Sequence, residues 1–378
     1  MSSEFLVVGA GLAGASAAWR LAQRGFSVTL VERDVPASER GSSHGSARIF
    51  RYAYPERVYV DLVGAGEPGW AELSALHGSD LVQRCGALDF GARRGPHGLA
   101  AVLASAGVEH ELLSRDDARD RWPHIAFDTD VLLHRAGGVL DAESTVTTMV
   151  SAAQALGAEV LTGWPLRRLE RTGAGFTAHA EDGRTLSAGR VVVAAGGWLP
   201  DLLGDLGLPS GFLAALPPLR VTEENAFHFP YRDGADEWPT LIHDRDEICV
   251  YALPGGRDAH FRGQKVAEFA AGRAIGSAAA RTGRVDPANR ERVVEHVRRF
   301  LPGLVPEPYA ETTCLFTNTP TEDFVVDEAD GVTVVSPCSG HGAKFAPVLG
   351  QLAADVALRA GSGAASVPDR FRVGSARA

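Results

Sequence analysis

The chain has 378 residues, 45% hydrophobic and 22% charged, the balance of a globular protein long enough for two domains. A formal charge of −10 argues against nucleic acid and anionic membrane surfaces as partners, and no apolar run reaches the ~18 residues of a membrane span. Four scattered cysteines without a CxxC pair (Cys85, Cys249, Cys314, Cys338) exclude a zinc ribbon or a disulfide scaffold; a reducing cytoplasm and no metal are expected.

Met1-Ser2-Ser3-Glu4 leads straight into an apolar run with no basic segment, so no signal peptide is expected. Phe5–Gly9 reads as a buried parallel strand, residues 11–24 as a helix and Ser27–Val31 as a second strand ending at Glu32. The turn between strand and helix is Gly9-x-Gly11-x-x-Gly14. Its glycines permit the turn, the approach of a diphosphate to the helix N-terminus and close helix–strand packing. Glu32 is placed to accept from a ribose hydroxyl, with Arg33 beside it. A tight glycine turn without a ligand is the bland alternative, and the full βαβ context weighs against it. No second GxGxxG follows, which disfavours reductases that hold FAD and a nicotinamide together.

Farther on, Ser144–Leu156 is a predicted helix, Glu159–Thr162 a strand, and Gly175–Ala180 with Thr185 onward a hairpin around Asp182-Gly183. Arg190–Ala195 is a buried strand ending in Gly196-Gly197-Trp198, and Ile248–Leu253 is strand-like. Gly331–Ser336 is a strand, and a helix starts near Ala346 after Gly340-His341-Gly342. Residues 360–378, rich in Gly, Ala and Ser, read as a loosely held tail. The mixed patterning of 60–140 and 216–311 suggests a second domain built from insertions. The expected class is α/β (mixed α+β). A Rossmann-like dinucleotide-binding domain (1–80, 145–215 and 312–378) is interleaved with a sheet-based second domain (81–144 and 216–311).

Of the 37 basic residues only Lys265 and Lys344 are lysine. Where arginine meets almost every need for positive charge, a surviving lysine points to a place needing a compact, tunable amine. Chance survival of two surface lysines is the alternative. The stretch Gly41-Ser-Ser43-His44-Gly-Ser-Ala-Arg48-Ile-Phe-Arg51-Tyr-Ala-Tyr54 is polar and cationic. Arg48 and Arg51, three apart, would share a face on a helical turn and suit an anionic group. A solvated loop with its arginines paired to Glu39 or Glu56 is as good a reading. A lone Cys314 is ordinarily a small buried hydrophobe, and a lone His341 a hydrogen-bonded structural group.

Taken together, these segments resemble the FAD-dependent amine oxidases of the D-amino-acid-oxidase superfamily, most closely the monomeric sarcosine oxidase / N-methyltryptophan oxidase family. The resemblance runs end to end. It rests on the glycine turn with Glu32, Gly41–Arg51, Gly137-Gly-Val-Leu140 and Ala194-Ala195-Gly196-Gly-Trp198. Farther along it rests on Cys314-x-x-Thr317-x-Thr319 with Asp323-Phe324, and on Ser339-Gly340-His341-Gly342-x-Lys344-Phe345. It implies FAD bound covalently through Cys314, with Ser43, His44, Arg48, Ala195, Gly196, Trp198, Gly340, His341 and Gly342 around it. It implies a substrate carboxylate gripped by Arg51 and Lys344, a mobile Tyr54 at the entrance, and Tyr251 in the catalytic set. Lys265 matches a lysine over the flavin that assists oxygen reduction, where a fixed cation stabilises developing superoxide.

The expected reaction is oxidation of a secondary-amine amino acid, N-methylated or cyclic. Hydride passes to the flavin, an imine is released and O2 is reduced to hydrogen peroxide. The partners expected are a small amino-acid substrate and O2, without nucleic acid or membrane, and the protein is expected to be a monomer. The chain departs from the family pattern around 254–270: the loop to Lys265 is longer, Phe269 stands where sarcosine-type enzymes carry histidine, and position 52 is Tyr rather than His. These changes put sarcosine in doubt and suit a larger, more apolar substrate. A flavin dehydrogenase using another acceptor, in a biosynthetic pathway, is the alternative. A non-catalytic flavin-binding subunit is a third reading, and a nicotinamide dehydrogenase the weakest.

Overall fold

The computed structural model describes residues 2–234, 238–358 and 367–375. Ser2–Val8, Val28–Val31 and Glu159–Leu161 pair in parallel, and Ser2–Val8 pairs on its other side with Thr185–Val193. Val332–Ser336 adds a further parallel strand against Thr185–Val193. The apolar runs Leu6–Val8 and Val28–Val31 are buried on both faces, as parallel strands covered by helices require. Helix Leu12–Gln23 lies over this sheet and packs against both Ala142–Ala155 and Ala346–Leu358. Contact is closest at Gly350, where a β-carbon would lie 2.0 Å from Ser16 Oγ. Ala142–Ala155 begins two residues before the expected Ser144 because the Asp141 side chain caps it, accepting from Ser144 N–H at 2.9 Å.

A second sheet of nine strands is built from residues 87–134 and 220–318. Its longest strand, Arg220–Pro230, runs antiparallel to Ala310–Asn318 and Gly263–Glu268. The expected boundary at 312 falls inside Ala310–Asn318. Phe227, Phe229 and Val266 turn toward a core completed by Val293 and Val297 of helix Pro287–Phe300. Period-two alternation then aims Glu224, Ala226, His228 and Lys265 the other way, toward the first sheet. Register sets Glu224 opposite Cys314 and His228 opposite Lys265.

A small third sheet joins Arg48–Phe50, Val82–Gln83 and Gly138–Leu140. The helical turn expected at Arg48–Arg51 is therefore a strand edge. On a strand, side chains three apart point to opposite faces, so the two arginines do not share one.

Of the expected loose tail, 360–366 and 376–378 lie outside the described residues, but 367–375 dock firmly. Phe371 is fully buried, with its ring 5.1 Å from Phe324 and 5.9 Å from Tyr59. Arg370 pairs with the buried Asp323 at 2.6 Å and Arg372 with Asp327 at 3.0 Å. One aromatic among small residues, flanked by arginines facing buried acids, outweighs the flexible composition.

Candidate active site

Between the two large sheets lies a cavity of about 930 Å³ that reaches from the glycine turn to the second sheet. At one end Gly9 has φ +98°, and a β-carbon there would lie 2.5 Å from Ala194 O. One at Gly14 would lie 1.8 Å from Gly9 O, so the turn excludes larger residues at both positions. Gly11 precedes the helix, whose Leu12 N–H donates to Ser43 Oγ at 3.0 Å. The Glu32 carboxylate accepts from Ala10 N–H at 2.7 Å and Asp34 N–H at 3.0 Å, with its pKa raised by burial. Arg33 also lines this end, paired with Glu181 at 2.5 Å. Ala195, Gly196 and Trp198 form the facing wall.

In the middle stand His44, Arg48, Tyr251, Lys265 and Cys314. Arg48 donates to the carbonyls of Ser42, His44 and Ala47 at 2.7–3.0 Å, and its guanidinium lies 3.8 Å from Cys314 Sγ. Burial alone would raise the Cys314 thiol, but Arg48, His44 and Lys265 outweigh it and bring the pKa down to about 6. The surrounding cations thus favour the Cys314 thiolate, unlike an inert buried hydrophobe. Lys265 is 6% exposed, its closest acceptor being Ala47 O at 3.5 Å. Burial and Arg48 hold its ammonium down to about 8. Burial pushes the Tyr251 phenol up. Two buried polar atoms here, His44 Nε2 and Trp198 Nε1, have no hydrogen-bond partner among the described residues. Together with the glycine cradle, they fit a polar, multi-ringed occupant.

The far end holds the second cationic group. Lys344 Nζ donates to Tyr54 Oη at 2.9 Å and His341 O at 2.6 Å. Tyr54 Oη is 3.1 Å from His341 Nδ1, and His341 Nε2 is 3.0 Å from Glu322 O. Burial and Lys344 depress the imidazole to about 3, so it is neutral, and the network assigns its proton to Nε2. Arg51 stacks on the Tyr54 ring at 4.1 Å and donates to Ala53 O. Burial lowers the pKa of Arg51, and that of Lys344 falls well below the ordinary amine value through burial and Arg51. Neither Arg48 nor Arg51 pairs with Glu39 or Glu56, and neither Arg51 nor Lys344 forms an ion pair with a described residue. Half-buried Arg51 and buried Lys344, side by side and without an ion-pair partner among the described residues, form a ready anion site.

Gly340 has φ +72°, and a β-carbon there would crowd Phe316 at 2.5 Å and Phe269 at 2.9 Å. One at Gly342 would lie 1.8 Å from Pro337 O. Phe269 adds an apolar wall. The structure thus brings every predicted site residue except Gly14 and His44 to the lining of one cavity. Gly14 packs behind the turn, and His44 is held beside Cys314.

Sequence reading missed Asp89 and Arg94. Asp89 is 1% exposed and pairs with Arg94 at 2.6 Å, and Arg94 also donates to Ala53 O, the carbonyl used by Arg51. The available signal was a lone acid inside the apolar strand Ala87–Phe90, followed by Gly91-Ala-Arg93-Arg94-Gly95.

Comparison with known proteins gives the same picture. Residues 4–356 match the family model described as DAO, FAD dependent oxidoreductase. The chain is 33% identical over 371 residues, 94% of each protein, to the N-methyl-L-tryptophan oxidase of Yersinia pestis (strain Pestoides F). Its fold is similar to the open form of NikD, an unusual amino acid oxidase essential for nikkomycin biosynthesis. The TM-score is 0.86 at 25% identity, with 100% of this chain and 98% of that one covered. It is similar in fold to the L-proline dehydrogenase of P. horikoshii, at TM-score 0.80 and 18% identity over 95% and 94% of the two chains. The chain belongs to the DAO family of FAD-dependent oxidoreductases, and its glycine turn, cationic middle and unpartnered polar atoms suit that cofactor.

Proposed function

We propose that the protein oxidises a secondary amine in an amino acid, N-methylated or cyclic, to an imine that water hydrolyses. The observation that carries this reading is the pairing of Arg51 and Lys344 on Tyr54, two basic side chains at one end of the cavity, with Lys265 and Cys314 in its middle. FAD, when bound, would supply the two-electron acceptor for the amine and, with O2 as the final oxidant, the route to hydrogen peroxide.

The chain's own residues bind, orient and hold charge. Gly9, Gly11 and Gly14 with the start of helix Leu12–Gln23 receive the diphosphate. Glu32 and Arg33 hold the adenosine end, and Ser43, His44, Arg48, Ala195, Gly196 and Trp198 line the ring system. Cys314, beside Arg48 and Lys265, would hold the flavin ring through its sulfur. Arg51 and Lys344 grip the substrate carboxylate and fix the amine-bearing carbon. Tyr54, linked to Lys344 and neutral His341, moves with substrate entry. Tyr251 and Phe269 close the pocket around an apolar side chain. Lys265 keeps an ammonium where oxygen is reduced. The two sheets act as separate domains, one for cofactor and one for substrate. We place the protein in the cytoplasm as a monomer, with no disulfide among its four cysteines.

The test is an anaerobic panel of N-methylated and cyclic amino acids, read as loss of the flavin's visible absorbance. At least one is expected to bleach it; a panel in which none does overturns the reading. Mixing the reduced protein with air then separates the alternatives. Rapid recovery of colour, slowed far more by Lys265→Met than reduction is, marks an oxidase. Slow recovery in the unaltered protein marks a dehydrogenase with another acceptor.

A further inference from the structure

One acid interrupts an otherwise apolar strand. Ala87–Phe90 is buried along its whole length, and Asp89 within it has no part in the reaction described so far. A carboxylate buried there must be compensated. The chain turns at Gly91, where φ is +107° and a β-carbon would run into Asp244 O, and the turn brings Arg94 back to the strand it follows. Arg94 Nε donates to Asp89 Oδ1 at 2.6 Å.

Arg94 does more than neutralise this acid. Its side chain lines the cavity, and its Nη2 donates to Ala53 O at 3.0 Å. His134, fully buried on the neighbouring strand Val131–His134, accepts from Tyr52 N–H through Nε2 at 3.1 Å. Burial keeps this ring neutral, so the network assigns its one proton to Nδ1, which faces Asp89 Oδ2 at 3.9 Å. Neither of those two atoms has a hydrogen-bond partner among the described residues. Consecutive backbone groups, Tyr52 N–H and Ala53 C=O, are therefore held by the two side chains that adjoin Asp89. They lie between Arg51 and Tyr54, on whose ring Arg51 stacks at 4.1 Å. Arg51 also donates to Ala53 O, so both guanidiniums meet at one carbonyl; among the described residues Arg94 has an acid there and Arg51 has none.

We propose, resting on the reading of Arg51 as a grip on the substrate carboxylate, that Asp89 is the anchor of that grip. It is a positioning residue: it touches neither substrate nor cofactor, and it acts through Arg94 and His134 on the backbone that carries Arg51 and Tyr54. Because Asp89 engages Arg94, the guanidinium of Arg51 is left unpaired for an anion in the cavity. A backbone fixed on both sides of the Tyr52–Ala53 peptide leaves less of the side chain to be ordered when that anion binds.

Charge and position predict opposite results for a small anion. Asp89→Asn removes a negative charge near Arg51 and Lys344, which by charge alone would tighten acetate. Loss of the anchor weakens it. In the holoenzyme, with acetate titrated through the flavin's visible spectrum, Asp89→Asn is expected to raise the Kd about 10-fold, the lower end for a hydrogen bond to a charged group. Reoxidation of the reduced protein by O2 keeps its rate. Asp89→Asn/Arg94→Gln leaves no buried charge unpaired, so it folds even where the single change does not. It is expected to show the same weakening, because Ala53 O still lacks the fixed donor. Acetate bound as tightly as in the unaltered protein, or more tightly, in either variant overturns the proposal. Arg51→Gln separates this failure from that of the reading beneath it: if that change leaves acetate binding intact, Arg51 grips no carboxylate and the reading itself falls.

Discussion

Replacing Lys265 with methionine should make the folded chain more stable, and by a predictable amount at each pH. Lys265 is 6% exposed, and burial with Arg48 beside it brings its ammonium down to about 8 from the ordinary 10.5. At roughly 1.4 kcal/mol per pH unit, burying the ammonium costs about 3 kcal/mol wherever it is charged in both states. A lysine whose folded pKa is lowered leaves the unfolded chain holding the extra proton between the two values. The fold therefore gains stability as pH rises from about 8 to 10.5 and bears the full penalty below 8. Methionine keeps the length of the side chain, removes the charge and gives up one long hydrogen bond to Ala47 O, worth ~1 kcal/mol or less. Lys265→Met should therefore exceed the unaltered chain by about 2 kcal/mol at neutral pH. The gap should close toward the ordinary lysine pKa. Equilibrium urea unfolding of the flavin-free proteins from neutral to alkaline pH, with equal slopes, measures it. A gap that does not change with pH, or that favours lysine at neutral pH, would refute the reasoning that the site holds an ammonium against its burial.

Acid precipitation of the purified protein should leave the flavin in the pellet, whereas Cys314→Ala should release it; yellow supernatant from the unaltered protein rules out the thioether. Lys344→Met should weaken a carboxylate competitor about 10- to 100-fold, the worth of a charge-assisted hydrogen bond; an unchanged Kd removes Lys344 from the clamp. Phe371→Ala should lower stability by about 3–5 kcal/mol, as for a phenylalanine cut from a core. A loss under ~1 kcal/mol, by urea unfolding, would mean that 367–375 do not form part of that core.

The parts of the fold that could be read in advance were those governed by local pattern. The Gly9–Gly14 turn, the strands at 5–9, 27–31 and 331–336, and the helix from Ala346 follow from apolar periodicity and glycine spacing, which act over a few residues. What failed depended on partners far along the chain. Arg48 and Arg51 read as a helical pair because nothing nearby shows that Gly138–Leu140 will draw 48–50 into a strand. That difference matters for the site, since it sends Arg48 toward Cys314 and Arg51 toward Lys344 rather than both to one anion. The tail was misjudged because Phe371 finds Phe324 and Arg370 finds Asp323 only after the chain has closed. Asp89 and Arg94 went unnoticed because a buried ion pair leaves no periodic trace. That Lys265 and Lys344 stand apart was legible from scarcity alone, yet their surroundings were not: His228 comes to Lys265 from a neighbouring strand, and Tyr54 to Lys344 from far along the chain.

Both ε-amines of the chain are interior, Lys265 6% and Lys344 4% exposed, so its outer surface carries arginine but no lysine. Amine-directed reagents, lysine-cutting proteases and acyl or ubiquitin transferases consequently meet no lysine target on the native molecule. Attachment through a surface amine would have to use the N-terminus, and any lysine modification found in a preparation would report material that had opened.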